Sequence, residues 1–334
     1  MPEQVPKNFR TVVVTGSLGN IIEWYDFYIL RSLAVSVFRP LGALLFGWLG
    51  DRVGRKYTFL ITLMGMAIGT EAIGLVPTFD QIGFAAAVIL LALRMVQGLC
   101  LGGQYGGAIT YVAEHVSDEK RGYYTGWLQT SPTLGIVLSL LIIIACRKYF
   151  GSDTFNADWG AWRIPFLFSF VLTLIAGYMR RYFQESPIFQ EIKAKQGMTK
   201  NPWKEAFLSA NMKLVLIATI VVLGEGVVWY SSQFWALYYL QTVVKMDVLS
   251  SGIIVGVGLL IGAPTLILFG RLSDSIGRKP VILAGFLLAA VTYYPLYLWL
   301  GSATQPGAVN YPLAIIIVAI LVSYVGMVYG PIGA

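Results

Sequence analysis

"GWLGDRVGRK", Gly47 to Lys56, sets Asp51, Arg52, Arg55 and Lys56 directly behind an apolar run, and the same grammar returns downstream as "GRLSDSIGRK", Gly270 to Lys279. A charged decapeptide written twice points to a duplicated architecture with one polar turn in each half. The chain around it is greasy: 57% of its 334 residues are hydrophobic and only 12% are charged. That is about half the charge fraction of an ordinary soluble domain. Apolar runs recur near or above the ~18 residues that a bilayer-crossing helix needs. Ten can be read, at 12–30, 33–49, 57–76, 82–109, 123–145, 164–182, 214–244, 252–269, 281–300 and 312–334. Hydrocarbon offers no water to unpaired backbone groups, so such runs span as helices, and the short alternating strands of a barrel are absent from the sequence. The expected fold class is an all-α polytopic membrane protein.

The net charge of +7 is a matter of topology rather than of a polyanionic partner. Most of the 24 Lys and Arg residues fall in the N-terminal tail and in the loops after even-numbered runs, among them Lys7, Arg52, Arg55, Lys56, Lys120, Arg121, Lys193, Lys204, Arg278 and Lys279. The opposite loops hold few, namely Arg31, Arg147, Lys148, Arg163 and Lys245. This asymmetry predicts a cytoplasmic N-terminus and cytoplasmic even-numbered loops. No nucleic-acid partner is expected. Cys100 and Cys146 have no metal or redox spacing, no cofactor or metal site is read, and no catalytic constellation marks an enzyme. His115 falls in a charged loop and reads as solvated. The glycines between Gly98 and Gly107 follow a helix rather than a strand, with no Gly-Lys-Ser/Thr after them, so they read as close helix packing instead of a phosphate loop.

The long polar stretch from 183 to 213 divides the chain into an N-terminal bundle (1–182), a cytoplasmic linker (183–213) and a C-terminal bundle (214–334). The stretch ahead of the first decapeptide is much shorter than the one ahead of the second, and only four runs follow the linker. Both halves are therefore expected to be incomplete, with residues missing near Leu33–Phe38.

Charges inside the runs each need a reason, because one at a helix centre costs at least about 2.5 kcal/mol. Glu23 and Asp26 share a face of the first run, with Trp24 and Tyr25 between them. They read as proton-binding carboxylates on a cavity, or as surface groups that orient the helix. Arg94 lies amid apolar neighbours and must meet a carboxylate, from the protein or from a substrate. Arg39 precedes Pro40 and suits either a pair with Glu23 or Glu71 or a substrate contact. Glu71 is expected to snorkel outward. Glu225, between Gly224 and Gly226, is followed by Trp229, Tyr230, Gln233, Trp235 and Tyr238. A helix broken at those glycines and lined by Glu225, Tyr230 and Gln233 would build a substrate site, with an interfacial aromatic belt as the alternative.

These residues carry a resemblance. "GWLGDRVGRK" resembles the loop signature of the major facilitator superfamily, and "GRLSDSIGRK" its second-half copy. "RMVQGLCLGG" (94–103), "SLGNIIEWYDFYI" (17–29), "RPLGALLFG" (39–47), "YVAEHVSDEKRGYYTGW" (111–127) and "ESPIF" (185–189) are similar to its metabolite–proton symporter branch, which carries proline and betaine, 2-oxoglutarate, citrate and shikimate. The resemblance implies two six-helix bundles, of which helices 11 and 12 are absent here. It implies alternating-access symport, in a bacterial inner membrane, of a proton with a small organic acid or zwitterionic osmolyte. The alternatives are an uncoupled facilitator or a non-transporting fragment. The partners implied are a small-molecule substrate, protons and the lipid bilayer, and a monomer is expected. Proton coupling would rest on Asp26, Glu23 and Arg94. The substrate cavity would take Tyr25, Arg39, Gln104, Tyr105, Glu225, Tyr230 and Gln233. Gln104 stands where the branch usually has Glu. Asp51, Arg52, Gly54, Arg55 and Lys56, with Asp274, Gly277, Arg278 and Lys279, would form a cytoplasmic latch, Asp51 facing the start of helix 11.

Overall fold

The computed structural model describes residues 33–179 and 209–334, together with Glu185, Gln190, Glu191 and Ala194. The first predicted run, with Glu23, Tyr25 and Asp26, lies outside the described residues. Each of the other nine runs is helical. They form α1 (Leu33–Val53), α2 (Arg55–Leu75), α3 (Phe84–Glu114), α4 (Arg121–Asn156), α5 (Arg163–Met179), α6 (Ser209–Tyr238), α7 (Val248–Gly262), α8 (Pro264–Ile276), α9 (Arg278–Ala303) and α10 (Tyr311–Ile332). One run therefore supplies two helices, α7 and α8. Pro264 opens α8, where its ring excludes the preceding turn's carbonyl and its missing N–H interrupts the ladder. Among the described residues no strand occurs, and seven helical stretches are long and apolar enough to cross a membrane. The chain is an integral membrane protein.

The two decapeptides fold alike. Gly54 ends α1 and opens α2 at φ 126°, ψ 151°, and Gly277 ends α8 and opens α9 at φ 93°, ψ 152°. Both lie in a region that side-chain-bearing residues avoid, so the two glycines make the same sharp reversal possible.

The described chain divides into two compact units: residues up to His115 together with those from Leu138 to Pro202, and Val116–Val137 together with those from Trp203 onward. In the first, α1 and α3 pack backbone to backbone. A methyl on Gly102 would collide with the carbonyl oxygen of Arg39, and one on Gly42 with that of Leu99. Small residues give lipid-embedded helices this close approach, in accord with the reading of the glycine run as packing. Met66, Cys100 and Leu101 form a buried cluster beside Phe46. In the second unit α10 is the central element. Its residues Ile317, Val318, Leu321, Val322, Val325 and Val328 are buried, and it packs on α6, α7, α8 and α9.

Helix α6 departs from expectation. It runs unbroken through Gly224, Glu225 and Gly226. In apolar surroundings a broken turn would strand backbone groups, and both glycines can hold helical angles. Gly224 is small because Phe286 packs on it, 3.0 Å from where a Cβ would stand. The irregularity comes later, as a π turn over Tyr239–Val243.

Candidate functional site

In the first unit a polar chain is buried in apolar surroundings. Arg94, 2% exposed on α3, donates from Nη1 to Gln97 Oε1 at 2.8 Å. Gln97 Nε2 donates to Thr70 Oγ1 on α2 at 3.0 Å, and Thr70 Oγ1 donates to the Met66 carbonyl at 2.9 Å. Buried polar groups are tolerated when paired in this way. The chain fixes one edge of the guanidinium. The relay through Gln97 and Thr70 was not foreseen from the sequence, although the i, i+3 spacing of Arg94 and Gln97 puts them within reach on one helix. Further along α3, Gln104 is fully buried, and neither its amide oxygen nor its nitrogen has a hydrogen-bond partner among the described residues. Tyr105 lies under the Arg39 guanidinium, 5.9 Å from ring centroid to carbon.

Glu71 does not snorkel. It is half-buried and bonded to Thr173 of α5, Oγ1 to Oε1 2.7 Å. A hydroxyl one helix away meets one oxygen of the carboxylate.

In the second unit Glu225, Trp229 and Gln233 recur every fourth residue on α6, which puts them on one face. All three are buried. Both amide atoms of Gln233 are without a hydrogen-bond partner among the described residues. Tyr230 sits off that face, 40% exposed, its ring against Trp229 and Phe234. The neighbouring helix α9 adds two residues not singled out from the sequence. Tyr293 donates its hydroxyl to the Val228 carbonyl at 3.0 Å, and Tyr297 donates to the Ser231 carbonyl. Tyr324 of α10 stacks on Tyr293 at 5.9 Å. Their signal was the i, i+4 spacing of two tyrosines in an apolar run. One Gln amide, an indole and a carboxylate on one buried face offer both donors and acceptors to a small polar guest.

The second decapeptide supplies an anionic cap as well as a bend. Asp274, half-buried, accepts from the Gly122 N–H at Oδ1 and from the Tyr123 N–H at Oδ2, each at 2.8 Å. These amides belong to the first turn of α4, which has no intrahelical acceptors for them and carries the positive end of the helix dipole. Arg278 donates to the Asp118 carbonyl at 3.3 Å, Asp118 itself pairs with Arg121, and Lys279 is exposed. On the first copy, Glu185 accepts from the Lys56 N–H at 3.3 Å, at the start of α2. Asp51 is exposed and lines a cavity of about 250 Å³ with Gly47, Gly103, Gly106 and Thr110. Arg52 stacks on Trp48 at 5.0 Å. The backbone of Arg55 opens α2.

His115 is only partly solvated. It caps the end of α3 half-buried, its Nδ1 2.7 Å from the Tyr111 carbonyl and its ring 4.3 Å from that of Tyr111. Burial pushes its pKa down, against the Tyr111 carbonyl and the nearby Glu114 and Glu185 carboxylates, which push it up.

Among known proteins, solved carrier structures resemble this one. The xylose transporter XylE from E. coli, in a partially occluded inward-open conformation, superposes over 98% of this chain and 83% of its own with a TM-score of 0.65 at 16% identity. A double-tryptophan XylE mutant does so over 98% and 81% with a TM-score of 0.70 at 18% identity. At those identities the likeness concerns the fold. In sequence, a relative named for proline/betaine transport in Staphylococcus aureus (strain COL) is 34% identical over 303 residues, 83% of this chain and 64% of that protein. The proline/betaine transporter of Escherichia coli (strain K12) is 31% identical over 332 residues, 88% of this chain and 65% of that protein. This chain thus spans somewhat under two thirds of the length of these relatives. The profile of the Major Facilitator Superfamily matches residues 28–334; with the paired Gly-Arg-Lys turns and the helical fold, that match establishes that the chain belongs to the major facilitator superfamily.

Proposed function

We propose that the protein is a secondary transporter that moves a small zwitterionic osmolyte or organic acid together with a proton by alternating access between two bundles. The bundles are read as 1–182 and 214–334 joined by 183–213, with the N-terminus in the cytoplasm of a bacterial inner membrane. The observation that carries this reading is the buried face of α6. Gln233 holds an amide with no partner among the described residues, one turn from Trp229 and two from Glu225. An unmade buried hydrogen bond costs about 1–3 kcal/mol, and a guest that completes it recovers that cost. A zwitterion supplies both halves: its carboxylate accepts from the amide, and its ammonium meets the indole face or the Glu225 carboxylate. The names of the sequence relatives point the same way. Proton coupling is assigned to Asp26 and Glu23 with Arg94, and the latch to the two decapeptide turns, a role supported by the Asp274 cap.

One observation favours an uncoupled facilitator as the second reading. Gln104, buried where the symporter branch usually carries a carboxylate, cannot take up a proton near neutral pH. The test is uptake of radiolabelled proline and glycine betaine into proteoliposomes containing the full chain, with and without an imposed inward proton gradient. Symport predicts uptake that rises with the gradient. Uptake indifferent to the gradient selects the facilitator, and absence of uptake overturns transport by this chain.

A further inference from the structure

A cavity of about 590 Å³ in the first unit has no part in the functional site above. It opens where α2 ends and α3 begins, roofed by the later part of α4 and the start of α5. Its size is that of a small-molecule site, ~300–1,000 Å³. Its chemistry is lopsided. Ile73, Leu90, Ile143, Phe155, Trp162 and Phe166 make the wall, and only Thr78 and Arg147 bring polar side chains to it. The Thr78 hydroxyl is buried without a hydrogen-bond partner among the described residues. Arg147 is exposed and lies 5.1 Å over the Phe155 ring, its one partner among the described residues. A polar zwitterion would be stranded in such a pocket, where nothing replaces its hydration. A long apolar chain ending in an anion matches it at both ends.

The surroundings identify the source of that chain. Phe79, Tyr149 and Trp159 around this end of the unit are 63%, 84% and 65% exposed, the aromatic and cationic mixture found at headgroup level. Leu75, Leu141 and Phe170 nearby present exposed apolar surface, as lipid-facing positions do. We propose that this cavity is a binding site for an anionic phospholipid, with one acyl chain between α2, α3, α4 and α5 and the phosphate on Arg147. The site is independent of the transport reading, since no residue of it belongs to the candidate substrate or proton groups.

The proposal is tested with the full chain in phosphatidylcholine nanodiscs containing increments of phosphatidylglycerol with brominated acyl chains. Trp162 lines the cavity, so the fluorescence lost on Trp162→Phe substitution isolates its signal. That component is expected to be quenched at a mole fraction of brominated phosphatidylglycerol about 5-fold lower than of brominated phosphatidylcholine, the discrimination expected of one cation near the surface. Arg147→Gln, at an exposed rim position that leaves the core intact, is expected to abolish the preference. Arg147→Lys is expected to keep it. Ala87→Phe, which fills the cavity, is expected to lose quenching by both lipids. Equal quenching by the two lipids in the unmodified protein, or a preference that survives Arg147→Gln, overturns the proposal. Relief of that quenching by an unbrominated free fatty acid at equal bilayer concentration also overturns it, in favour of the free acid.

Discussion

Removing the Asp274 carboxylate should release the first turn of α4. Asp274→Ala deletes two hydrogen bonds of 2.8 Å, to the Gly122 and Tyr123 amides. Bonds to a charged group are each worth about 1.5–3 kcal/mol, and the interaction with the helix dipole about 0.3–1 kcal/mol more. Asp274 is half-exposed, and water recovers part of the loss at the freed amides. The local cost is therefore about 2–3 kcal/mol, less than the sum of the separate bonds. Since 1.4 kcal/mol is a factor of ten, opening of that turn becomes roughly 30- to 100-fold more frequent. The assay is hydrogen exchange at the peptide containing Gly122 and Tyr123, in detergent or nanodiscs, below the denaturation range. Asp274→Asn keeps one acceptor and turns an amide donor toward the other N–H, so it should fall between the two. Gly122→Ala attacks the contact from the other side, since its methyl would lie 2.7 Å from Asp274 Oδ1, and it should accelerate exchange at Tyr123 as well. Exchange in Asp274→Ala within twofold of the unmodified protein would refute the capping argument, because the protection of these amides would then owe nothing to the carboxylate.

Three further outcomes are expected. Arg163, buried among Trp159 and Trp162, donates to the Gly74 and Val76 carbonyls that end α2 and through two nitrogens to the Asp158 carbonyl; Arg163→Ala should lower unfolding stability by about 3 kcal/mol, and Arg163→Lys should restore only a fraction because an ammonium lacks the planar fork. Gln233→Leu removes a buried amide that has no hydrogen-bond partner among the described residues, so thermal stability should hold or rise by up to about 1 kcal/mol while betaine or proline uptake falls at least about tenfold; a loss of stability with uptake intact would assign the amide a structural role. His115 is held below its free pKa of 6.5 by burial, so the folded state binds fewer protons than the unfolded one. Its contribution is full above pH 6.5 and is lost as pH falls from there toward the lowered folded value. Melting curves from pH 8 to pH 5 should therefore show a loss of stability below pH 6.5 that His115→Gln lacks.

The helices were legible because a span in hydrocarbon has no choice but to satisfy its own backbone. Each described apolar run became helix, and the glycine of each decapeptide became a left-handed reversal because the motif needs a turn no other residue makes cheaply. Partnership was legible only where it was local. Arg94 and Gln97, three residues apart, could have been paired from spacing, whereas the α6 carbonyls that receive Tyr293 and Tyr297 could not. The Thr173 hydroxyl on Glu71 and the Gly74 and Val76 carbonyls that receive Arg163 lie 87 to 102 residues away along the chain, and no local pattern announces them. Gly224 and Gly226 misled for the opposite reason. Their propensity argues for a break, but Phe286 needs the space at Gly224 and the bilayer penalises an open turn.

The amino-acid sequence by itself determined the class of protein: composition, run length and a repeated charged turn follow from the solvent the chain must live in. Only the tertiary structure decided what each buried charge and amide meets. It decided that Asp274 forks onto the start of α4, that Glu71 turns to Thr173, and that an apolar cavity stands open beside Arg147. The physical reason is that hydrophobic matching to a bilayer is non-directional and sums along the chain, whereas hydrogen bonds and ion pairs act over about 3 Å between groups that only folding brings together.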